Sequence, residues 1–348
     1  MPNSILIVRL GALGDVVHTT PAATLLKRVW PRARLTWVIE PRWAPLVQEH
    51  PAVDEVISLP LGDWRSKPLR PEHWRQALSF FRDLRRRRFD LAIDFQGLLK
   101  SAVVARLSGA RRVFGFSREQ LREPQARRFY TDTVFANRRH VVDQNLALAR
   151  GVAGRVDDAP AEFWTPQGRP TPATPPPNSF VLASPMAGWL GKQWPPEHYA
   201  KLAEQCWRHL RLPLVLDCSP GDRRAVEAIV SQAPRGACQV HVSDLLGLAA
   251  ATRRARAVVG VDSGPLHLAA AMGKPGVALF GPTDPARNGP YGGEMVTLRA
   301  AQAKTSYSRA ARIDPAMKAL TPGQVFDALR TQLERMQPEL VVVAGSAP

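Results

Sequence analysis

The chain is poor in cysteine and in acidic residues, and it has no long apolar run. Cys206, Cys218 and Cys238 are the only three cysteines in 348 residues, too few for a disulfide framework. Their spacing fits no metal motif, and H-E-x-x-H, C-x-x-C, G-x-S-x-G and D-x-D are all absent. The sequence therefore calls for no metal, and it lacks the carboxylate signature of metal-dependent sugar transferases. No apolar stretch approaches the ~20 residues of a spanning helix, which excludes an integral helical membrane protein. Met1–Ser4 leads straight into the strand-like Ile5–Val8 without the basic and apolar regions of a secretory signal, so a reducing cytoplasm is expected. With 45% hydrophobic and 22% charged residues, global disorder, collagen and coiled coil are also excluded.

What is abundant is positive charge. There are 47 Lys and Arg against 30 Asp and Glu, a net charge of +17. The excess is spread along the chain: 27 bases against 17 acids up to Glu162, then 20 against 13. Such a field attracts anions, namely nucleic acid, an anionic bilayer or phosphorylated substrates. No recognition motif or alternation of aromatic and basic residues supports nucleic acid. The run Arg85–Arg88 reads as the solvated end of a helix, where cations suit the dipole.

The length suggests two domains, and the pattern supports this. Strand signals at Ile5–Leu10, Arg34–Glu40, Val53–Leu59, Leu91–Phe95 and Val113–Phe116 alternate with helical ones at Val16–Trp30, Pro41–His50, Arg75–Arg88, Leu98–Leu107 and Val141–Gly151. A proline-rich stretch, 166–178, reads as a stiff extended linker between a first domain, 1–165, and a second, 179–325. Alternation then resumes with strands Phe180–Ser184, Leu214–Asp217, Gln239–Val242, Ala257–Val261 and Gly276–Phe280. Helices are expected at Pro196–Arg211, Asp222–Gln232, Leu245–Arg254, Gly264–Met272 and Pro322–Met336. The fold class is α/β, two doubly wound Rossmann-like domains facing across a cleft. Residues 326–348, a helix and tail, are expected to fold back on the first domain.

Two turns carry chemistry. Gly11-x-x-Gly14-Asp15 follows a strand and opens a helix, yet it is neither the dinucleotide fingerprint nor a P-loop. Asp15 fits equally a helix cap and a catalytic carboxylate. Asp262-Ser263-Gly264-Pro265-Leu266-His267 likewise ends a strand and opens a helix, with proline in the first turn. Its free amides and dipole suit a diphosphate, whereas a capping Asp or Ser and a buried His267 are the structural alternative. Lys192, in Gly188–Pro195, comes from a loop after a strand and could neutralise a phosphate as a mobile point charge. Gly281-Pro282-Thr283-Asp284 reads as a structural turn.

Together these motifs resemble the family 9 glycosyltransferases, across roughly Ile5 to Leu333. The most specific piece is Asp262–His267 continuing to Leu279–Pro285, supported by Gly14-Asp15 and Lys192-x-Trp194-Pro195. Asp94-x-Gln96-Gly97-Leu98-x-Lys100-Ser101 and Arg122-Glu123-Pro124 point to the heptosyltransferase I branch. The resemblance implies a GT-B fold and a metal-independent, inverting transfer of L-glycero-D-manno-heptose from ADP-heptose to a Kdo residue of lipid A. That transfer takes place at the cytoplasmic face of the inner membrane, and an alternative keeps the family but changes the nucleotide sugar. ADP-heptose is a co-substrate, and no cofactor is implied. By the same resemblance Asp15 is the general base, and Lys192 with the amides at Ser263 and Gly264 meets the departing ADP. Gly188, Asp222, Asp262, Pro265 and His267 complete the donor side. Asp222 is placed on the ribose and Asp262 on sugar hydroxyls. Arg65, Lys67, Gln96, Lys100 and Arg122 are acceptor candidates, and Arg70, Arg127 and Arg128 join the basic surface expected to meet the bilayer. Two positions depart from the relatives: Gly188 replaces a hydroxyl residue, and Cys218 a common glycine.

Overall fold

Short apolar runs bounded by turns become parallel strands buried on both faces. The computed structural model describes residues 1–66, 70–154, 159–171 and 176–336. The chain divides into two units, Met1–Pro166 and Gln167 onward. In the first, β1 (Ser4–Val8), β2 (Arg34–Ile39), β3 (Glu55–Ser58), β4 (Leu91–Asp94), β5 (Arg112–Phe116) and β6 (Asp132–Val134) form one sheet in the order β3-β2-β1-β4-β5-β6. Every pairing in it is parallel. The Ile5–Val8 run, wholly buried, is its centre.

The second unit repeats the plan. Its strands are β7 (Val181–Ser184), β8 (Leu214–Cys218), β9 (Cys238–Val242), β10 (Ala257–Val261), β11 (Gly276–Phe280) and β12 (Met295–Arg299). Their order is β12-β11-β10-β7-β8-β9, again parallel throughout. Numbered from its own first strand, each sheet reads 3-2-1-4-5-6. In this order ligands bind beyond the carboxyl ends of the first and fourth strands, where the winding reverses. Those ends are Val8 and Asp94 in one unit, and Ser184 and Val261 in the other.

Several expectations need correction. The helix expected over Val16–Trp30 is two, Leu13–Val17 and Thr20–Val29. Pro21 in the first turn of the second cannot continue the first, and the Thr19 and Thr20 hydroxyls donate back to the Asp15 and Val17 carbonyls. Pro41–His50 is a 3₁₀ turn, Pro41–Leu46, since Pro45 has no N–H to give. β6 and β12 escaped notice because both are partly exposed edge strands without a continuous apolar run. The segment from 326 belongs to a helix, Pro322–Met336, whose Val325, Phe326, Leu329 and Leu333 are buried in the second unit's core. That apolar stripe fixes it on the second sheet, and 337–348, the rest of the expected tail, lie outside the described residues.

The proline-rich stretch begins seated, not free. Arg169 N–H donates to the Leu246 carbonyl of helix Leu245–Arg254 at 3.0 Å. Gly168 has φ +80°, and a Cβ there would stand 2.4 Å from the Ala250 nitrogen, so only glycine fits. Residues 172–175 lie outside the described part. All three cysteines are buried. Burial pushes the Cys218 thiol up to about 11 and those of Cys206 and Cys238 to about 12, which keeps them unreactive. Among the described residues no helix is long and apolar enough to cross a membrane.

His50 gives the first unit a pH response. Burial pushes its imidazole down to about 4, outweighing backbone hydrogen bonds at Thr20 and at His50 itself that favour the cation. Its Nδ1 accepts the Ala52 N–H at 3.0 Å. Because the folded value lies below the unfolded one, the contribution is full above about pH 6.5 and lost as pH falls through about 4. The limiting loss is on the order of 3 kcal/mol. Melting temperature measured against pH should therefore fall more steeply below pH 6.5 in the wild type than in His50→Asn, which keeps an acceptor but cannot charge. Parallel curves would show that His50 has no such role.

Candidate active site

In the second unit the loop after β7 and the turn after β10 meet. Lys192 Nζ lies 2.6 Å from Asp262 Oδ2 and donates to the Asp262 carbonyl at 3.1 Å. The same ammonium sits 4.2 Å above the Trp189 ring, a cation–π contact. His267, one turn into helix Gly264–Ala271, holds the other oxygen, with Nε2 3.2 Å from Asp262 Oδ1. Burial opposes ionisation of Asp262, but the hydrogen bond and charge of His267 and the nearby Lys192 outweigh it. Its carboxyl is held well below the usual range.

Lys192 is therefore a pinned charge, not the mobile one that its loop suggested. Its side chain is only 13% exposed. The ammonium donates to the Asp262 carbonyl and is held against Asp262 Oδ2 as an ion pair. Asp262, expected on sugar hydroxyls, is buried and spends its carboxylate on Lys192 and His267. Ser263 starts the helix, but its hydroxyl makes no cap bond and finds no partner among the described residues. Pro265 occupies the first turn, leaving the helix amides at Gly264 and beyond aimed past the strand end. Gly188 has nothing within 4 Å of where a Cβ would stand, so the missing hydroxyl side chain leaves open space. Asp222 precedes helix Arg223–Val230 after β8 and accepts the Ser219 hydroxyl at 2.6 Å.

In the first unit Asp15 sits at the corresponding reversal. Cap and reactive group prove compatible: Oδ2 accepts the Ala12 N–H at 3.2 Å, while the side chain stays 47% exposed. Oδ1 is 2.7 Å from Nη2 of Arg9, a buried guanidinium that also donates to the Phe95 carbonyl. Gly11 is needed here because a Cβ would meet the Trp43 indole at 2.5 Å. Gln96 closes the loop after β4, its Oε1 accepting the Leu10 N–H at 2.9 Å.

In the second unit the anion-ready helix start with its fixed lysine suits a phosphorylated ligand, and in the first unit the half-exposed Asp15 carboxylate suits a proton acceptor. The pattern that defines "Glycosyltransferase family 9 (heptosyltransferase)" matches residues 77–316, more than half of the chain. The chain belongs to this family. It is 35% identical over 302 residues to lipopolysaccharide heptosyltransferase 1 of Pseudomonas aeruginosa, covering 84% of this chain and 83% of that one. With the Escherichia coli K12 enzyme of the same name it shares 30% over 311 residues, 85% and 93% of the two chains. Its structure resembles E. coli heptosyltransferase WaaC with ADP at a TM-score of 0.77 and 26% identity, covering 94% and 99%. The fold is accordingly of the GT-B type.

Of this glycosyltransferase's acceptor candidates, Lys100 starts helix Leu99–Leu107 and pairs with Glu40 Oε1 at 3.7 Å. Lys100 and Arg122 line one groove of about 650 Å³. Arg65 falls in helix Leu61–Ser66, and its side chain and Lys67 lie outside the described part. Sequence reasoning missed Arg9 and the hub beneath Gln96. Asp94 is fully buried and accepts from the Gln96 and Gly97 amides, Ser101 Oγ and Tyr130 Oη at 2.7–3.2 Å. Burial pushes its carboxyl up, while those four bonds pull the other way. Tyr130 reaches it across β5 at Gly115, where a Cβ would stand 2.2 Å from the ring. The available signal was a charge at each strand end, Arg9 after Ile5–Val8 and Asp94 closing Leu91–Asp94.

Proposed function

We propose that this enzyme transfers heptose from ADP-heptose to a Kdo residue of lipid A with inversion and without a metal. The observation that carries the reading is Lys192, fixed by Asp262 beside an open helix start. Such a site meets the growing charge on a departing diphosphate with groups already in place. Asp15 takes the acceptor hydroxyl's proton as the oxygen attacks the anomeric carbon; the C–O bond to the diphosphate breaks, and the electron pair leaves on ADP. One displacement inverts the centre and needs one base. Arg122 and Lys100 suit the acceptor's carboxylates and phosphates. The relatives' names and the ADP-bound neighbour support this donor and product class. Because the acceptor is a lipid, the enzyme works at an anionic inner-membrane surface from the cytoplasmic side.

Incubation with ADP-heptose and Kdo-bearing lipid A should add one heptose, read by mass. EDTA or added Mg²⁺ should leave the rate unchanged. Transfer only from another nucleotide sugar would overturn the donor, and loss of activity in EDTA would overturn the metal-free mechanism.

A further inference from the structure

The helix Pro71–Arg86 buries almost nothing: among its sixteen residues only Leu84 is buried. Ala77, Phe80 and Phe81 are half-buried on the side of Leu84, but the apolar surface continues past that stripe onto the outward side of the helix. Trp74 and Leu78, one turn apart, are 65% and 72% exposed. Phe81, next along that face, lines the 650 Å³ groove together with Trp64, Leu98 and Leu99. Leu99 is itself 43% exposed, and Lys100 and Arg122 also line the groove. Apolar surface thus runs from the helix into the groove that carries the acceptor candidates.

The charge around this face is one-sided. From Arg70 to Arg88 there are seven arginines against Glu72 and Asp83. By helical spacing Arg75 and Arg82 flank Leu78, and both are exposed, while Arg85 on the same side is tied to the Leu107 carbonyl. Trp and Leu on one side with arginines beside them describe a helix that lies in the plane of a membrane interface. A protein partner would need acids to match so many arginines, whereas an anionic bilayer offers the charge and the apolar depth together.

We infer that the exposed face of helix Pro71–Arg86 is a docking surface for an anionic lipid bilayer. This deepens the lipid-acceptor reading and rests on it for its purpose, though not for its observations. The aromatic and aliphatic side chains enter the headgroup region, and the arginines hold anionic headgroups. The groove with Lys100 and Arg122 is thereby brought to the lipid surface.

Sedimentation with vesicles of phosphatidylcholine, with and without phosphatidylglycerol, tests it without nucleotide or transfer. Wild type should bind the anionic vesicles and not the neutral ones. Leu78→Glu should weaken binding by at least about tenfold, because a buried leucine is lost. Arg75→Ala with Arg82→Ala should weaken it by roughly tenfold or more, with a salt dependence absent from the leucine contribution. Leu78→Phe should bind as wild type, and unchanged ADP affinity and melting temperature show that each variant is folded. No binding by wild type overturns the inference, as does a Leu78→Glu variant that binds normally. So does a wild-type dimer that Leu78→Glu splits, because the face would then belong to a second copy. Vesicle binding without heptose transfer would leave the surface standing and remove the lipid-acceptor reading.

Discussion

Asp15→Asn should lower turnover by about 10²–10⁴-fold, the usual cost of losing a general base. Asparagine keeps an oxygen to accept the Ala12 N–H, so the helix start survives. What it loses is the proton acceptor and the charge facing Arg9. Asp15 is half exposed, so the ion pair itself contributes only about 1 kcal/mol. For units of this size that corresponds to roughly 2–4 °C in melting temperature. ADP affinity should not change, because Lys192, Asp262 and the helix start belong to the other unit. Steady-state rates with ADP-heptose and Kdo-bearing lipid A, with calorimetry for ADP, separate these effects. Activity within tenfold of wild type would remove Asp15 from the chemistry.

Lys192→Ala should cost about 10²–10³-fold in turnover, the range for removing one electrostatic stabiliser of a leaving group. The geometry adds a second effect that the sequence did not suggest. Asp262 is buried, and without the lysine its charge retains only His267. Breaking such a pair costs about 3–5 kcal/mol, so the melting transition of the second unit should fall as well. Adding Asp262→Asn removes the orphaned charge. The double variant should regain most of the stability and none of the activity. If activity returns along with stability, Lys192 is a structural residue and the leaving group is met elsewhere.

The central strands of the second unit were legible because Val181–Ser184, Ala257–Val261 and Gly276–Phe280 are short, wholly buried apolar runs followed by turns. Ala257–Val261, Gly276–Phe280 and Leu245–Arg254 have the expected limits. What periodicity cannot show is which turn meets which. Lys192 and Asp262 are seventy residues apart, and their ion pair exists only because β7 and β10 are neighbours in the sheet. Arg9 was hidden for a related reason. A cation after an apolar strand looks like the first exposed residue, yet this one is buried under Asp15 and the Phe95 carbonyl. The run Arg85–Arg88 is the solvated helix end that the sequence suggested, exposed at the close of Pro71–Arg86, but sequence could not show that Trp74 and Leu78 of the same helix are left outside.

The crossing of Tyr130 over Gly115 limits how this sequence can drift. A tyrosine that reaches Asp94 tolerates no side chain at 115, and without its hydroxyl the buried carboxylate loses a donor. Neither position can change first without cost, so the two form a ratchet: once both are in place, single steps away from either are disfavoured. A descendant that gives up the tyrosine frees position 115 but leaves Asp94 with only the Gln96 and Gly97 amides and Ser101 Oγ as donors.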